Sequence, residues 1–232
     1  MRASIRLGLE GFLIFMTVVT GSSVQAYTEL QQAEYALRWD PREGGPKTAE
    51  ATLNLLGLQV GVPDHYEIRY YDLIPPSSAP PQATVILRER QKLHGKPQFR
   101  LKYRLTEPLT QPWRCPPGSN FEQDSEVDVT WLGANTQKRV YAYSCSMKAN
   151  QPPPSLGATP KSCSAKMVRY ESKGLKVESW QMPDGSFQLE VSRSAANDIA
   201  EFRSFQEIAV RLLAQGVKPT DSSKTEQGSR CH

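Results

Sequence analysis

The sequence predicts an α+β fold, a closed antiparallel β-barrel with flanking helices, on three observations. Six or more strand-like stretches are joined largely by hairpin signals. Two helical segments lie outside them. The strands also carry cations at period-two spacing: Arg88 and Arg90 share one face, and Arg100, Lys102 and Arg104 share a face further on. Neighbours in such a row stand roughly 6.6 Å apart and repel by about 2.5 kcal/mol at an effective dielectric of ~20. Inward-facing rows therefore require carboxylates from other strands or a polyanionic ligand. A sandwich is the competing architecture, and inward charge favours a barrel wide enough for water and ligand.

Residues 30–39 put Glu34, Ala36 and Arg38 on one face of a strand, with a helix as the competing local reading because Ala, Leu, Glu and Gln favour it. After a turn-rich break, a helix is expected over 47–56, with Gly57 terminating it. Strands follow over 66–73, 83–90 and 98–105, the last two joined by a turn around Gly95. A loop of prolines and one cysteine at 106–124 leads to a hairpin of 125–132 and 138–148. Beyond a second proline-rich loop, 175–181 and 186–191 flank the turn Pro183-Asp184-Gly185. From about 197 to 215, Ile199, Phe202, Phe205, Ile208, Ala209, Leu212 and Leu213 recur at helical spacing. The tail 220–232 is polar and expected to be disordered apart from a tether through Cys231. Three segments result: a signal peptide at 1–26, a barrel domain at 27–217 and a polar tail at 218–232.

The signal peptide is read from Arg2 and Arg6, an apolar run around 12–19 and the small-x-small site Val24-Gln25-Ala26. The run falls short of the roughly twenty residues that span a bilayer, so a secreted or periplasmic chain without a permanent membrane anchor is expected. Four cysteines follow, Cys115, Cys145, Cys163 and Cys231, an even number that suits disulfides in an oxidising compartment. Their spacing matches no zinc pattern, and all three pairings stay open. A bridge closing the Cys145 to Cys163 segment would stabilise by about 3 kcal/mol. The net charge of +4 is too small to argue for a nucleic-acid partner.

The order of motifs resembles the CYTH, or triphosphate tunnel metalloenzyme, superfamily over about 33–217. The family's opening Glu-x-Glu-x-Lys falls on Glu34, Ala36 and Arg38, and its Tyr-Tyr-Asp element on Tyr70, Tyr71 and Asp72. Arg88 and Arg90 match its paired arginines and Lys102 the lysine that follows, with Arg100 in place of a smaller polar residue. Glu126 and Asp128 look like its mid-barrel acidic pair, Arg139 like the next strand's arginine, and Gln188 and Glu190 like its late Glu-x-Glu. The resemblance implies a triphosphate or polyphosphate ligand gripped by Arg38, Arg88, Arg90, Arg100, Lys102, Arg104 and Arg139. It implies Mg2+ or Mn2+ held by Glu34, Asp128 and Glu190, which would also position the attacking water. Both Glu-x-Glu elements have lost one carboxylate, so anion binding is better preserved than phosphohydrolysis. The alternative is a non-catalytic structural or interaction protein that kept the barrel.

Other features read plainly. Trp39, Trp113, Trp131 and Trp180 are expected in the core or packed under loops. His65, His94 and His232 show no metal-ligand spacing, and Ser192 lacks the setting of a hydrolase nucleophile. The charged stretches at 91–96 and 170–173 read as solvated turns.

Overall fold

The structure, a computed structural model, describes residues 30–117 and 120–231. The expected signal peptide and His232 lie outside the described residues. In chain order the elements are β1 (Gln32–Trp39), α1 (Ala49–Leu56), β2 (Asp64–Asp72), β3 (Thr84–Lys92), β4 (Gln98–Leu105), β5 (Glu122–Trp131), β6 (Gln137–Lys148), β7 (Thr159–Ser172), β8 (Leu175–Gln181), β9 (Phe187–Ala196), α2 (Ile199–Ala214) and α3 (Lys224–Gly228). The strands close into one barrel in the order β1-β5-β6-β4-β3-β2-β7-β8-β9. The expected closed barrel is therefore present, with one difference from an all-antiparallel sheet: β1 and β5 run parallel.

Closure removes every free sheet edge, and period-two alternation gives each strand one face outside and one inside. Outward go most of the apolar residues. Tyr35, Leu37 and Trp39 of β1, Val127, Val129 and Trp131 of β5, and Leu189 and Val191 of β9 form one core with both long helices. Thr48 caps α1 by accepting from the Ala51 amide, and Gly57 ends it at φ 71°, the left-handed turn that glycine takes without strain. Asp198 caps α2 in the same way. Phe205 of α2 lies against Tyr35 and Trp131, with ring centroids 6.0 and 5.0 Å away.

A second outer core covers β3, β4 and β6, where Leu87, Phe99, Leu101, Tyr103 and Tyr143 pack beneath the proline-rich loops through Leu109, Trp113 and Phe121. Cys115 of the first loop bonds Cys145 on β6 and pins that cover to the barrel. The second disulfide joins Cys163 to Cys231, so no bridge closes the Cys145 to Cys163 segment.

Two segments differ from expectation. Residues 159–172, expected within a loop and a charged turn, form the longest strand, β7, whose inner face carries Ala165, Met167 and Arg169. Its proline-rich approach and its serines hid the alternation. The tail is ordered from 218 to 231: it bridges to β1 at Trp39 and ends in the Cys163–Cys231 bond.

Because the two larger apolar cores lie outside the sheet, their contribution to stability is separable from lumen chemistry. Phe205→Ala is expected to lower unfolding free energy by about 3–5 kcal/mol in urea denaturation, while anion titrations on the folded fraction stay at the wild-type affinity.

Candidate functional site

The lumen is a cavity of about 260 Å³ lined mainly by charge, including Glu34, Arg38, Arg88, Arg90, Arg100, Lys102, Arg104, Glu126, Arg169, Glu178 and Lys224. Alternation explains the assembly. Thr84↔Arg104, Ile86↔Lys102, Arg88↔Arg100 and Arg90↔Gln98 are facing pairs of β3 and β4, so the cations of both strands project to one side. Arg38 faces Glu190 across β1 and β9, and Glu34 faces Asp128 across β1 and β5.

On the wall formed by β1, β5, β8 and β9, each carboxylate has cationic company. The Arg38 side chain donates to the Glu190 carboxylate and, at 2.9 Å, to Thr130 Oγ1. Lys102 Nζ lies 3.1 Å from Glu126 Oε1 and 3.1 Å from Asp128 Oδ2, and Arg104 reaches the same Asp128 oxygen at 3.2 Å. Glu178 and Glu190 face each other across β8 and β9, a like-charged pair that would be destabilising alone. Lys224 from α3 resolves it, with Nζ 2.9 Å from Glu178 Oε2 and 2.7 Å from Glu190 Oε1. Arg169 donates to Glu178 from the other side at 2.5 Å.

The charges respond accordingly. Burial would raise Glu178, but Lys224 and Arg169 overturn that and hold its carboxyl well below the usual range. Burial would likewise raise Glu34, yet Lys224, Lys102, Lys176 and Arg38 bring it down to about 2. Glu126 goes the other way, raised by its burial against the pull of Lys102.

The opposite wall is different. Arg88 and Arg100 form a facing pair of like charge. Arg100 donates to Ser146 Oγ at 2.9 Å, and Arg90 donates to Gln98 Oε1 at 2.7 Å and lies over the Tyr66 ring at 5.4 Å. Among the described residues, no carboxylate stands within ion-pair distance of Arg88, Arg90 or Arg100. Burial, helped by Arg88, Arg169 and Arg100, lowers Arg90 to about 10, and burial likewise lowers Arg88, with Arg100 adding to it. These cations have lost much of their water without gaining an anion.

Of the residues singled out in the sequence, Glu34, Arg38, Arg88, Arg90, Arg100, Lys102 and Arg104 line the lumen together. Asp128 and Glu190 join them through the ion pairs above. Arg139 does not: it is exposed and faces Val129, whose side chain belongs to the outer core, so the alternation of β6 turns it away from the lumen. The expected metal set also changes. Glu34, Glu126 and Asp128 offer oxygens within 4.8 Å of one another and could hold a divalent cation, whereas Glu190 is taken up by Arg38 and Lys224.

Arg169, Lys176, Glu178 and Lys224 were not anticipated. Lys176, Glu178 and Trp180 do alternate with Leu175 and Val177 in the sequence, a signal sufficient to place them inside. Arg169 was hidden with its strand, and Lys224 carries no local signal. Trp39 and Trp131 are core residues and Trp113 packs under a loop, as expected. Trp180 belongs to a smaller apolar cluster with Ile68, Tyr70, Ala165, Met167 and Met182.

No family model matches the chain, and no curated protein matches its sequence. Solved structures do. A Hippeastrum protein, whose name couples adenylyl cyclase with a dominant triphosphatase activity, aligns at TM-score 0.49 and 12% identity over 87% of this chain and 98% of its own. A Pyrococcus horikoshii protein aligns at 0.47 and 13% over 84% and 98%. A Vibrio parahaemolyticus protein named for adenylate cyclase aligns at 0.42 and 13% over 85% and 97%.

The paired wall has a pH signature. Glu178 is depressed in the folded state, so its contribution to stability is complete above the ordinary carboxyl value of 4.5 and is lost as pH falls below it. Glu178→Gln, which leaves Arg169 and Lys224 buried beside a neutral amide, is expected to cost about 3–5 kcal/mol at pH 7. Urea titrations at descending pH should show the gap to wild type closing below pH 4.5.

Proposed function

We propose that this chain is an exported, triphosphate-tunnel-type barrel that binds a polyphosphorylated small molecule, of the triphosphate or polyphosphate class, inside its lumen. The observation that carries the reading is the facing pair Arg88 and Arg100, with Arg90 beside them and without a carboxylate partner among the described residues. Guanidinium forks match phosphate oxygens in shape and charge, and an anion there would relieve the repulsion between facing cations. Two disulfides support export from the reducing compartment.

Glu34, Glu126 and Asp128 are of the right type and spacing for Mg2+ or Mn2+, with substrate phosphates completing the shell. When bound, the ion would neutralise phosphate charge as a Lewis acid. The chain's own residues temper this: Lys102 and Arg104 already engage Asp128, and Lys102 engages Glu126. Retention of the anion is therefore the primary activity of the reading and hydrolysis a secondary one. Glu34 and Asp128 are its candidates for orienting water.

Calorimetric titration with inorganic tripolyphosphate tests this on the full chain. The expected result is measurable binding by wild type that Arg88→Ala combined with Arg100→Ala weakens at least about a hundredfold, or about 2.7 kcal/mol, together with a ligand-dependent rise in melting temperature only in wild type. Equal binding by the double variant would overturn the assignment.

A further inference from the structure

Past Val217 the chain turns back over the barrel end and runs inside it. The Thr220 amide donates to Arg38 O at 2.9 Å, and Lys138 pairs with Asp221 at 2.9 Å. Gln188 of β9 donates to Ser222 O at 3.2 Å, and Tyr70 of β2 donates to Lys224 O at 3.3 Å. Cys231 is then bonded to Cys163 of β7. This strap is anchored at both ends, and its single inward cation is set against Glu178 and Glu190, 5.0 Å from the Trp180 ring centroid.

The position of that cation decides what the rest of the lumen can do. With Lys224 removed, the facing carboxylates Glu178 and Glu190 would keep Arg169 and Arg38 as cations, and Glu178 the Trp180 indole N–H at 2.9 Å. Arg88 lines the same cavity as Glu34 and Glu178, and among the described residues no carboxylate holds it. It would be drawn towards carboxylates left with one cation each in place of three between them, which would both engage a phosphate-binding guanidinium and make the lumen less positive before an arriving anion.

We infer that Lys224 is a positioning residue of the anion site: held in the lumen by the Cys163–Cys231 bond, it neutralises Glu178 and Glu190 and so keeps Arg88 and Arg100 free for a polyphosphate-type ligand. The inference rests on the tunnel reading above. It adds that the site is complete only when a covalent bond outside the phosphate-binding wall is closed. Affinity is thereby tied to the redox state of one disulfide.

The test titrates inorganic tripolyphosphate, with EDTA present, into the full chain and three variants. Lys224→Met keeps an unbranched side chain of similar length and removes the charge, with its contact to the Trp180 ring. Lys224→Arg restores charge in a different shape. Cys163→Ser with Cys231→Ser frees the strap and leaves Cys115–Cys145 intact. Cooperative thermal melting establishes that each is folded. Expected are about tenfold weaker binding, equivalent to about 1.4 kcal/mol, for Lys224→Met and for the double-serine variant, and recovery in Lys224→Arg. Wild-type affinity in Lys224→Met would overturn the inference, as would Lys224→Arg binding as weakly as Lys224→Met, since shape rather than charge would then matter. Should Lys224→Met not fold, the double-serine variant decides alone: wild-type affinity there overturns the inference. No binding by the wild type would instead overturn the tunnel reading, and the inference with it.

Discussion

A closed sheet whose outer face is already buried must carry its ionisable groups inside, and the resulting charge balance is the constraint on which this structure depends. The helices and the proline-rich loops cover the outside of the barrel and supply its apolar core. The inner face is thereby released in large part from the packing role that side chains serve in most small barrels, a role left there to the smaller cluster of Ile68, Tyr70, Ala165, Met167, Trp180 and Met182. What replaces packing is ion pairing, and pairing in a partly dehydrated space is costly wherever it is incomplete.

The two walls meet that constraint differently. On the carboxylate side, two strands that set Glu178 against Glu190 are reconciled by cations arriving from three other places: Arg38 on β1, Arg169 on β7 and Lys224 on α3. On the arginine side, Arg88 and Arg100 face each other with Arg90 beside them, and among the described residues no carboxylate lies within ion-pair distance of the three. In the proposed reading, the counter-charge for the arginine wall is a phosphate-rich ligand, whose oxygens match guanidinium forks in shape and charge.

Much of this was legible in the residues. The bounds of β4 and β8 follow directly from alternation in FRLKYRL and LKVESWQ, and α1 and α2 were placed to within about two residues, α1 by its terminating Gly57 and α2 by its apolar periodicity. The lumen cations of β3 and β4 were legible because two short strands joined by a tight turn keep their register. Longer-range pairing was not. The parallel contact of β1 with β5 depends on closure of the whole sheet, and β7 was masked by prolines and serines at its start. Arg139 shows the limit of motif matching: its place in a motif order suggested the lumen, while the parity of β6, with Val140, Ala142 and Ser144 facing Asp128, Glu126 and Asp124, puts it outside. Of the strap only the tether at Cys231 was legible, because its polar composition is that of a loose tail and its contacts with β1, β2, β8 and β9 form only once the barrel is closed.

The place of β1 between β5 and β9 also governs how the molecule can be made. The first strand of the chain waits for partners roughly ninety and one hundred and sixty positions downstream, and loop-closure entropy must be overcome before either contact is rewarded. The seam between β1 and β9 is thus expected to seal late, after the hairpins on the far side have formed locally. Arg38 and Glu190 meet across that seam, so the lumen acquires its electrical balance at the final stage of assembly, when the ring of strands becomes continuous.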